Sequence, residues 1–594
     1  MLYPRESFTR EIRKLDGIWN FKADKKGTGL KQKWHQRPLK KSIKMPVPSS
    51  FNDITQDASL RDFCGDVWYE TSTFIPAAWS GENVSIRCGS ATHWAEVYIN
   101  GSSAGTHKGG FLPFEFKINK YIKWGQSNRI TIRVNNILTW QTLQPGETVT
   151  RNGPGYPPGY KTLDYHFDFF NYAGLHRPVM LYVRPRRHIT DITVQTDIRG
   201  KTGLITYGIQ TNTRHSRLQV TVKDARDRLK YSDGSLKGKA EIKNAVLWQP
   251  GKAYLYKLQA DLLDEQGEIC DTYTLPVGIR TAAVKNNKFL INGRPFYFKG
   301  FGKHEDIDIR GRGLDPAHHV KDFNLLKWIN ANSFRTSHYP YAEEIMNLAD
   351  EYGIVIIDEA PAVGLYLGFG EDNRTAFCPQ RLNKKATANH LRIMRALIER
   401  DKNHPSVVMW SVANEAATHE KGAVPHFRRV FDLTRKLDPT RPVTLVNHTS
   451  PQYCRVSQMA DVLCYNKYYG WYTDVGYPEV INRQLSRLIN SAWKKFKKPV
   501  MFTEYGGDTV AGLHSSPPRL FSEEYQCKML SEFHKVFDRF SCFIGEQVWN
   551  FADFATKQGP VRIIGNKKGV FTRDRHPKMA AHMLRERWQH KKAE

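Results

Sequence analysis

The pattern of apolar and polar positions changes period near residue 278. Before it, apolar residues come in short alternating runs: Val67-Trp68-Tyr69, Asn83 to Arg87, Trp94 to Ile99 and Arg129 to Val134, with Gly, Pro, Asn and Ser between them. Alternation puts successive side chains on opposite faces of a strand. Regularly spaced short strands predict a jelly-roll β-sandwich over 1–183. Asn100-Gly101, directly after Val97-Tyr98-Ile99, is a hairpin signal because both residues tolerate positive φ. A second all-β stretch, 184–277, has runs at Ile189 to Val194, Leu218 to Val222 and Tyr254 to Leu258, and the length of an immunoglobulin-like sandwich. From 278 onward, apolar strands alternate with amphipathic helical segments such as His390 to Arg400 and Glu523 to Phe537. The eight candidate strands are Phe296–Gly300, Ser333–Thr336, Ile354–Asp358, Val407–Ala413, Val443–Val446, Val462–Tyr465, Val500–Thr503 and Ile544–Trp549. Eight such units predict a (β/α)8 TIM barrel over 278–594.

Several of these strands run into polar residues. The clearest is the run from Asp401 to Glu415, where Val407-Val408-Met409-Trp410 reads as a strand buried on both faces and the run stops on Asn414-Glu415. Arg335 and His338 lie at the second strand, Asp358-Glu359 at the third, and Asn466, Tyr468 and Tyr472 after the sixth. Glu504-Tyr505-Gly506 follows the seventh strand and Trp549-Asn550 the eighth. One polar strand end is consistent with a core strand whose tip faces solvent. A whole rim of them is not explained by packing, which favours Val, Ile and Leu, and the C-terminal rim is where barrel chemistry sits. Carboxylates on the fourth and seventh strands face each other across the mouth. That fits glycoside hydrolysis, in which one carboxyl stays protonated and the other ionised. The longest irregular insertion, 364–389, is a candidate lid. In the first domain, Asp168 lies within the aromatic run His166 to Tyr172, either held by buried donors or placed to meet a ligand.

Composition narrows the partners. The formal charge is +29. A basic surface attracts nucleic acid, acidic lipid or anionic substrates. There is no zinc-finger spacing or recognition helix, so no nucleic-acid partner is expected, and dispersed Lys read first as a solvated surface. The eight cysteines are scattered without C-x-x-C or metal-ligand spacing, which predicts free thiols in a reducing compartment. No metal or cofactor is expected. No apolar run reaches the roughly 18 residues of a membrane span. The segment MLYPRESFTREIRKLDG lacks the apolar core of a signal peptide, so a cytoplasmic location is the expectation.

Four stretches carry a more specific likeness: Asn332 to Pro340, Asp401 to Glu415, Thr503 to Gly506 and Gly565 to Arg573. They resemble glycoside hydrolase family 2, and the likeness runs from Leu15-Asp16-Gly17 to Arg585-Glu586-Arg587. The resemblance implies a sugar-binding-like jelly roll, an immunoglobulin-like sandwich and a catalytic barrel, in the order read above. It implies a retaining mechanism with Glu415 as acid/base and Glu504 as nucleophile. Arg335 and Tyr468 would hold Glu504 ionised, since a guanidinium favours the carboxylate form. Asn414 would bond the sugar 2-hydroxyl, Trp549 would form the platform under the ring, and Asp168 and His338 would complete the pocket. His338 and Tyr468 can each also be read as satisfied core side chains.

Family members that act on glucuronides share an Asn-x-Lys pattern that grips the C6 carboxylate. Asn566 and Lys568 match it, with Arg562 and Tyr472 nearby and Lys567 pointing away. The implied activity is hydrolysis of terminal β-D-glucuronides, small or oligosaccharide, to glucuronate and an aglycone, by a homotetramer. A β-galactosidase or β-galacturonidase of the same family, or a non-catalytic carbohydrate or polyanion binder on its scaffold, are the alternatives. Retention of both carboxylates and their supports argues against the binder. Ala416 stands where the family usually has Pro. Proline restrains the residue before it, so modest loosening at Glu415 is expected. The stretch 366–385, with Phe369, Arg374 and Phe377, is expected to border the leaving group.

Overall fold

The computed structural model describes residues 1–158, 160–213, 217–368 and 374–591. The first domain packs a four-stranded sheet (Glu11–Lys14, Val179–Arg184, Asn83–Cys88, Phe114–Lys117) on a six-stranded one. The latter runs Ile43–Val47, Gly17–Ala23, Asp66–Ile75, Gln126–Asn135, Trp94–Ile99, Ser102–Lys108. Ile130, Ile132 and Val134 alternate along one strand and are fully buried between the sheets. Each such side chain contributes about 1.5–3 kcal/mol relative to exposure. Asn100 and Gly101 both have positive φ, 51° and 89°, as a tight hairpin turn needs. A separate hairpin, Gly146–Thr150 with Lys161–Tyr165, leads the chain to Asp168.

The second sandwich joins Ile189–Arg199, Thr202–Thr211 and Lys237–Ile242 to a sheet of Leu229–Asp233, Arg217–Lys223, Tyr256–Leu263 and Ile269–Val277. Its core also takes in Leu2, from the other end of the sequence. The Tyr273 hydroxyl donates to the Tyr3 carbonyl at 2.7 Å, and Arg10 donates to Asp271 at 2.8 and 2.6 Å. Tyr3 in turn donates to Glu344 of the barrel at 3.1 Å. The first ten residues therefore strap the second and third domains together.

The barrel is closed and parallel. Its strands are β1 (Phe298–Gly302), β2 (Ser333–Arg335), β3 (Val355–Glu359), β4 (Val407–Asn414), β5 (Val443–Asn447), β6 (Leu463–Asn466), β7 (Val500–Glu504) and β8 (Phe543–Val548). Its helices are α1 (Pro316–Trp328), α2 (Glu343–Tyr352), α3 (Lys384–Asp401), α4 (Ala423–Leu437), α5 (Ile481–Phe496), α6 (Glu523–Phe537) and α7 (Met579–His590). Each strand but one is followed by a helix. Between β5 and β6, residues 448–462 hold only a 3-10 turn, Ser457–Met459. Every residue of β4 is buried, as its apolar run predicts. Phe289 and Ile291 of the small sheet before β1 close the N-terminal mouth with Phe298, Val355, Val408 and Ile544. That apolar plug leaves the opposite rim as the open end.

Most strand bounds shift by one residue, and two elements start further from expectation. β1 starts at Phe298 rather than Phe296, because the Phe296 amide pairs with the Phe289 carbonyl and so finishes the small sheet. Helix α3 starts at Lys384, six residues before His390, where the Asn383 side chain accepts from the Lys385 and Ala386 amides at 2.9 and 3.4 Å. The irregular insertion thus ends at Asn383, and the polar first turn of α3 gives no apolar periodicity to read. Among the described residues, no helix is long and apolar enough to cross a membrane.

Candidate active site

β7 ends on Glu504, and β2 points Arg335 at it from across the barrel. The guanidinium is fully buried, donates from Nη2 to Glu504 Oε1, and from Nη1 to Glu359 Oε1 at 2.6 Å. The Tyr468 hydroxyl donates to Glu504 Oε2 at 2.6 Å. Both Glu504 oxygens are thus bonded, one by a cation and one by a phenol, which fixes how the carboxylate faces the mouth. Glu359, at the tip of β3, also meets His338 Nδ1 at 3.0 Å and the Ser411 hydroxyl at 2.7 Å. Burial pushes Glu359 up, but Arg335, His338 and Ser411 outweigh it and hold the acid below its ordinary value.

Glu415 follows β4 and has the opposite environment. Desolvation, followed by the negative charge of Glu504, pushes its carboxyl up to about 8, against smaller opposing effects of Asn466, Lys467 and Arg335. Its one side-chain partner among the described residues is Asn466 Nδ2, at 2.9 Å. Asn466 also donates to Asn414 Oδ1 at 3.1 Å, which turns the Asn414 amide nitrogen to the mouth. Glu415 has φ +49°, so the chain turns sharply as it leaves the strand. Its amide donates to Val446, and the Ala417 amide donates to Leu365 at 3.1 Å. Main-chain bonds on both sides of the fully buried Ala416 therefore tie this turn without a proline.

Trp549 lies one residue past β8. His338 stacks on it with centroids 5.0 Å apart and 23° between planes, and Phe169 of the first domain stacks behind His338 at 6.1 Å. Gly302 lies under the indole, where an added methyl would come within 2.5 Å of Trp549 Cε3.

The third face is cationic. Lys568 Nζ donates to Asp508 and to the Tyr472 hydroxyl at 2.7 Å. Arg562 donates to the same hydroxyl at 2.5 Å and grips Asp168 through Nε and Nη2, the latter at 2.6 Å. Asn566 Nδ2 also donates to Asp168, at 2.9 Å. Burial raises the Asp508 acid, but Lys568 and Arg562 overcome it and keep Asp508 below its usual range. Lys567 turns to Asp553 at 3.8 Å instead. Asp168 is one of the two carboxylates that meet these cations, so the first domain reaches the barrel rim.

All twelve residues singled out in the sequence lie in one connected set: the Tyr468 ring meets Tyr472 edge-on at 5.2 Å and joins the Glu504 cluster to the cationic face. Four members had no role assigned from sequence. Glu359 and Asn466 were visible as polar strand ends. Asp508 and Ser411 gave no signal, because Asp508 lies in a loop and Ser411 inside a strand, and their partners are distant in sequence. Of the leaving-group stretch, Phe369 falls outside the described residues, Arg374 pairs with Glu147 at 2.9 Å, and Phe377 is buried against Phe427. No group of three or more His, Cys, Asp or Glu among the described residues is placed to hold a metal ion.

The comparisons with known proteins agree along the whole chain. Residues 12–185 match the sugar-binding domain of the glycosyl hydrolases family 2, residues 187–280 its middle domain, and residues 282–593 its TIM barrel domain. A β-glucuronidase of Paenibacillus borealis is 53% identical over 99% of this chain and 98% of its own. A solved β-D-glucuronidase of Dictyoglomus thermophilum superposes with a TM-score of 0.95 at 50% identity, over 100% of this chain and 99% of its own. The β-glucuronidase of Ruminococcus gnavus, solved with D-glucaro-d-lactam, gives 0.93 at 40% identity, covering 99% of each chain. The chain belongs to glycoside hydrolase family 2.

Proposed function

We propose that this chain hydrolyses terminal β-D-glucuronides by a retaining double displacement. The carrying observation is the contrast between two neighbouring carboxyls: Glu415 is pushed up to about 8 by burial and the charge of Glu504, while Glu504 accepts from the Arg335 guanidinium and the Tyr468 hydroxyl. In the first step, Glu415 gives its proton to the glycosidic oxygen, the C1–O bond breaks, and a Glu504 oxygen bonds to C1. In the second, Glu415 takes a proton from water, the water oxygen bonds to C1, and Glu504 leaves as the carboxylate. Lys568, Asn566 and Arg562 supply the charge-assisted donors that a C6 carboxylate needs. Asn414 is placed for the 2-hydroxyl and Trp549 for the sugar face.

The test is turnover of 4-nitrophenyl β-D-glucuronide by the wild type and by Glu504→Ala, with the anomer of the first product read by proton NMR. Turnover by the wild type alone, with the β anomer of glucuronate first, is expected. Inert wild type, or the α anomer first, overturns the reading. The eight cysteines are all free, which supports work in a reducing compartment such as the cytoplasm. A homotetramer is the assembly expected from the family likeness, and sedimentation velocity reads it directly.

A further inference from the structure

The gap in the barrel's helical ring has a chemical character. Because no helix fills the space between α4 and α5, a cavity of about 960 Å³ opens there, bounded by Val424 of α4, Lys495 of α5 and the connection 448–462. Its upper wall is Tyr366 and His448, whose rings lie 4.3 Å apart. Both adjoin the acid/base. The His448 ring bonds the Glu415 main chain, and Leu365, just before Tyr366, accepts from the Ala417 amide. The groove therefore begins beside the turn that carries the acid/base.

None of the described residues lining the cavity is acidic. Lys495 spends its ammonium on the carbonyls of Pro451, Gln452 and Cys454 at 2.8–3.4 Å. Arg455 is different. Its Nε donates to the His419 carbonyl at 2.9 Å, which fixes the side chain, but its two terminal nitrogens bond no described residue and it makes no ion pair with one. The Thr449 hydroxyl is buried in the same wall without a hydrogen-bond partner among the described residues. An exposed guanidinium tethered at Nε, with its fork free among the described residues, suits a sulfate, phosphate or carboxylate. The volume suits a leaving group of fused-ring or disaccharide size.

We infer that this groove is a leaving-group subsite for an anionic aglycone, with Arg455 as its specificity-determining residue. The inference rests on the glucuronidase reading above and names the other half of the substrate. It also accounts for part of the +29 charge, since a basic groove beside the acid/base attracts anionic glucuronides.

Matched substrates test it: 2-naphthyl β-D-glucuronide against its 6-sulfonate, and a glucuronosyl disaccharide with and without sulfate on the second sugar. At low salt the anionic member of a pair is expected to have about fivefold higher kcat/KM, a preference that shrinks as salt screens it. Arg455→Ala removes that ratio, and Arg455→Lys keeps part of it. Preference within both pairs means that charge alone is read; preference within the disaccharide pair only means that a saccharide carries it. Equal rates within both pairs for the wild type, or an unchanged ratio in Arg455→Ala, overturn the inference and leave the glucuronidase reading standing. Calorimetry with free 6-sulfo-2-naphthol reads the same groove without turnover. Binding by the wild type that Arg455→Ala loses is expected, and no binding by the wild type sinks the inference even if glucuronides are not hydrolysed at all.

Discussion

Glu359 and Glu504 share one guanidinium, with Arg335 giving Nη1 to the first and Nη2 to the second. The arrangement fixes the angle at which Arg335 meets Glu504, since a planar fork bonded on one arm cannot swing on the other. Replacing Glu359 by Gln keeps its shape and removes its charge. The expected result is a fall in kcat of about 10–100-fold with KM little changed, because the support acts on the reacting carboxylate. Steady-state kinetics decide it. A change confined to KM would put Glu359 in sugar binding instead.

The pH dependence follows from Glu415. The reaction needs its protonated form, and the group is held at about 8 in the ligand-free protein. Thus kcat/KM holds up to about that pH and falls about tenfold per unit above it. Part of the elevation is the charge of Glu504, so Glu504→Gln should lower the Glu415 value. Infrared titration of the carboxyl bands checks the direction, and an unchanged or higher value would contradict the coupling.

Lys568 and Asp508 form a buried pair, so removing one is not equivalent to removing both. Lys568→Ala leaves Asp508 buried with only Arg562 Nη1, at 3.5 Å, as a cation. A loss of about 3 kcal/mol in urea unfolding is expected, together with loss of glucuronide turnover. The double variant Lys568→Met/Asp508→Leu should recover stability and not turnover. Recovery of both would mean that Lys568 serves the fold alone.

Gly302→Ala puts a methyl against the Trp549 ring and forces the indole to shift or tilt. Overpacking of this kind costs about 1–3 kcal/mol. Because Trp549 also carries His338, turnover should fall more steeply than stability, as paired thermal melts and kinetics would reveal.

The barrel and its rim were largely legible because the strands are short apolar runs that end abruptly on polar residues. Val407 to Asn414 and Val500 to Glu504 are the clearest cases, buried along their whole length. What stayed hidden depends on distance along the chain. Asp508 matters through Lys568, sixty residues later, and nothing local marks it. Asp168 was noticed only as an acid among aromatics, and the structure ties it to Arg562 and Asn566. The start of α3 was hidden for another reason: a capped polar turn has no hydrophobic period, so only its Asn cap announces it.

The strap made by the first ten residues has a consequence for biogenesis. Arg10 completes its bonds only when Asp271 has been synthesised, and Tyr3 must wait for Tyr273 and Glu344. The strap is therefore completed only after both sandwiches have been made, and its final docking is a late event in maturation. A substitution within the strap, such as Arg10→Ala, would weaken the last closure of the molecule rather than its first fold.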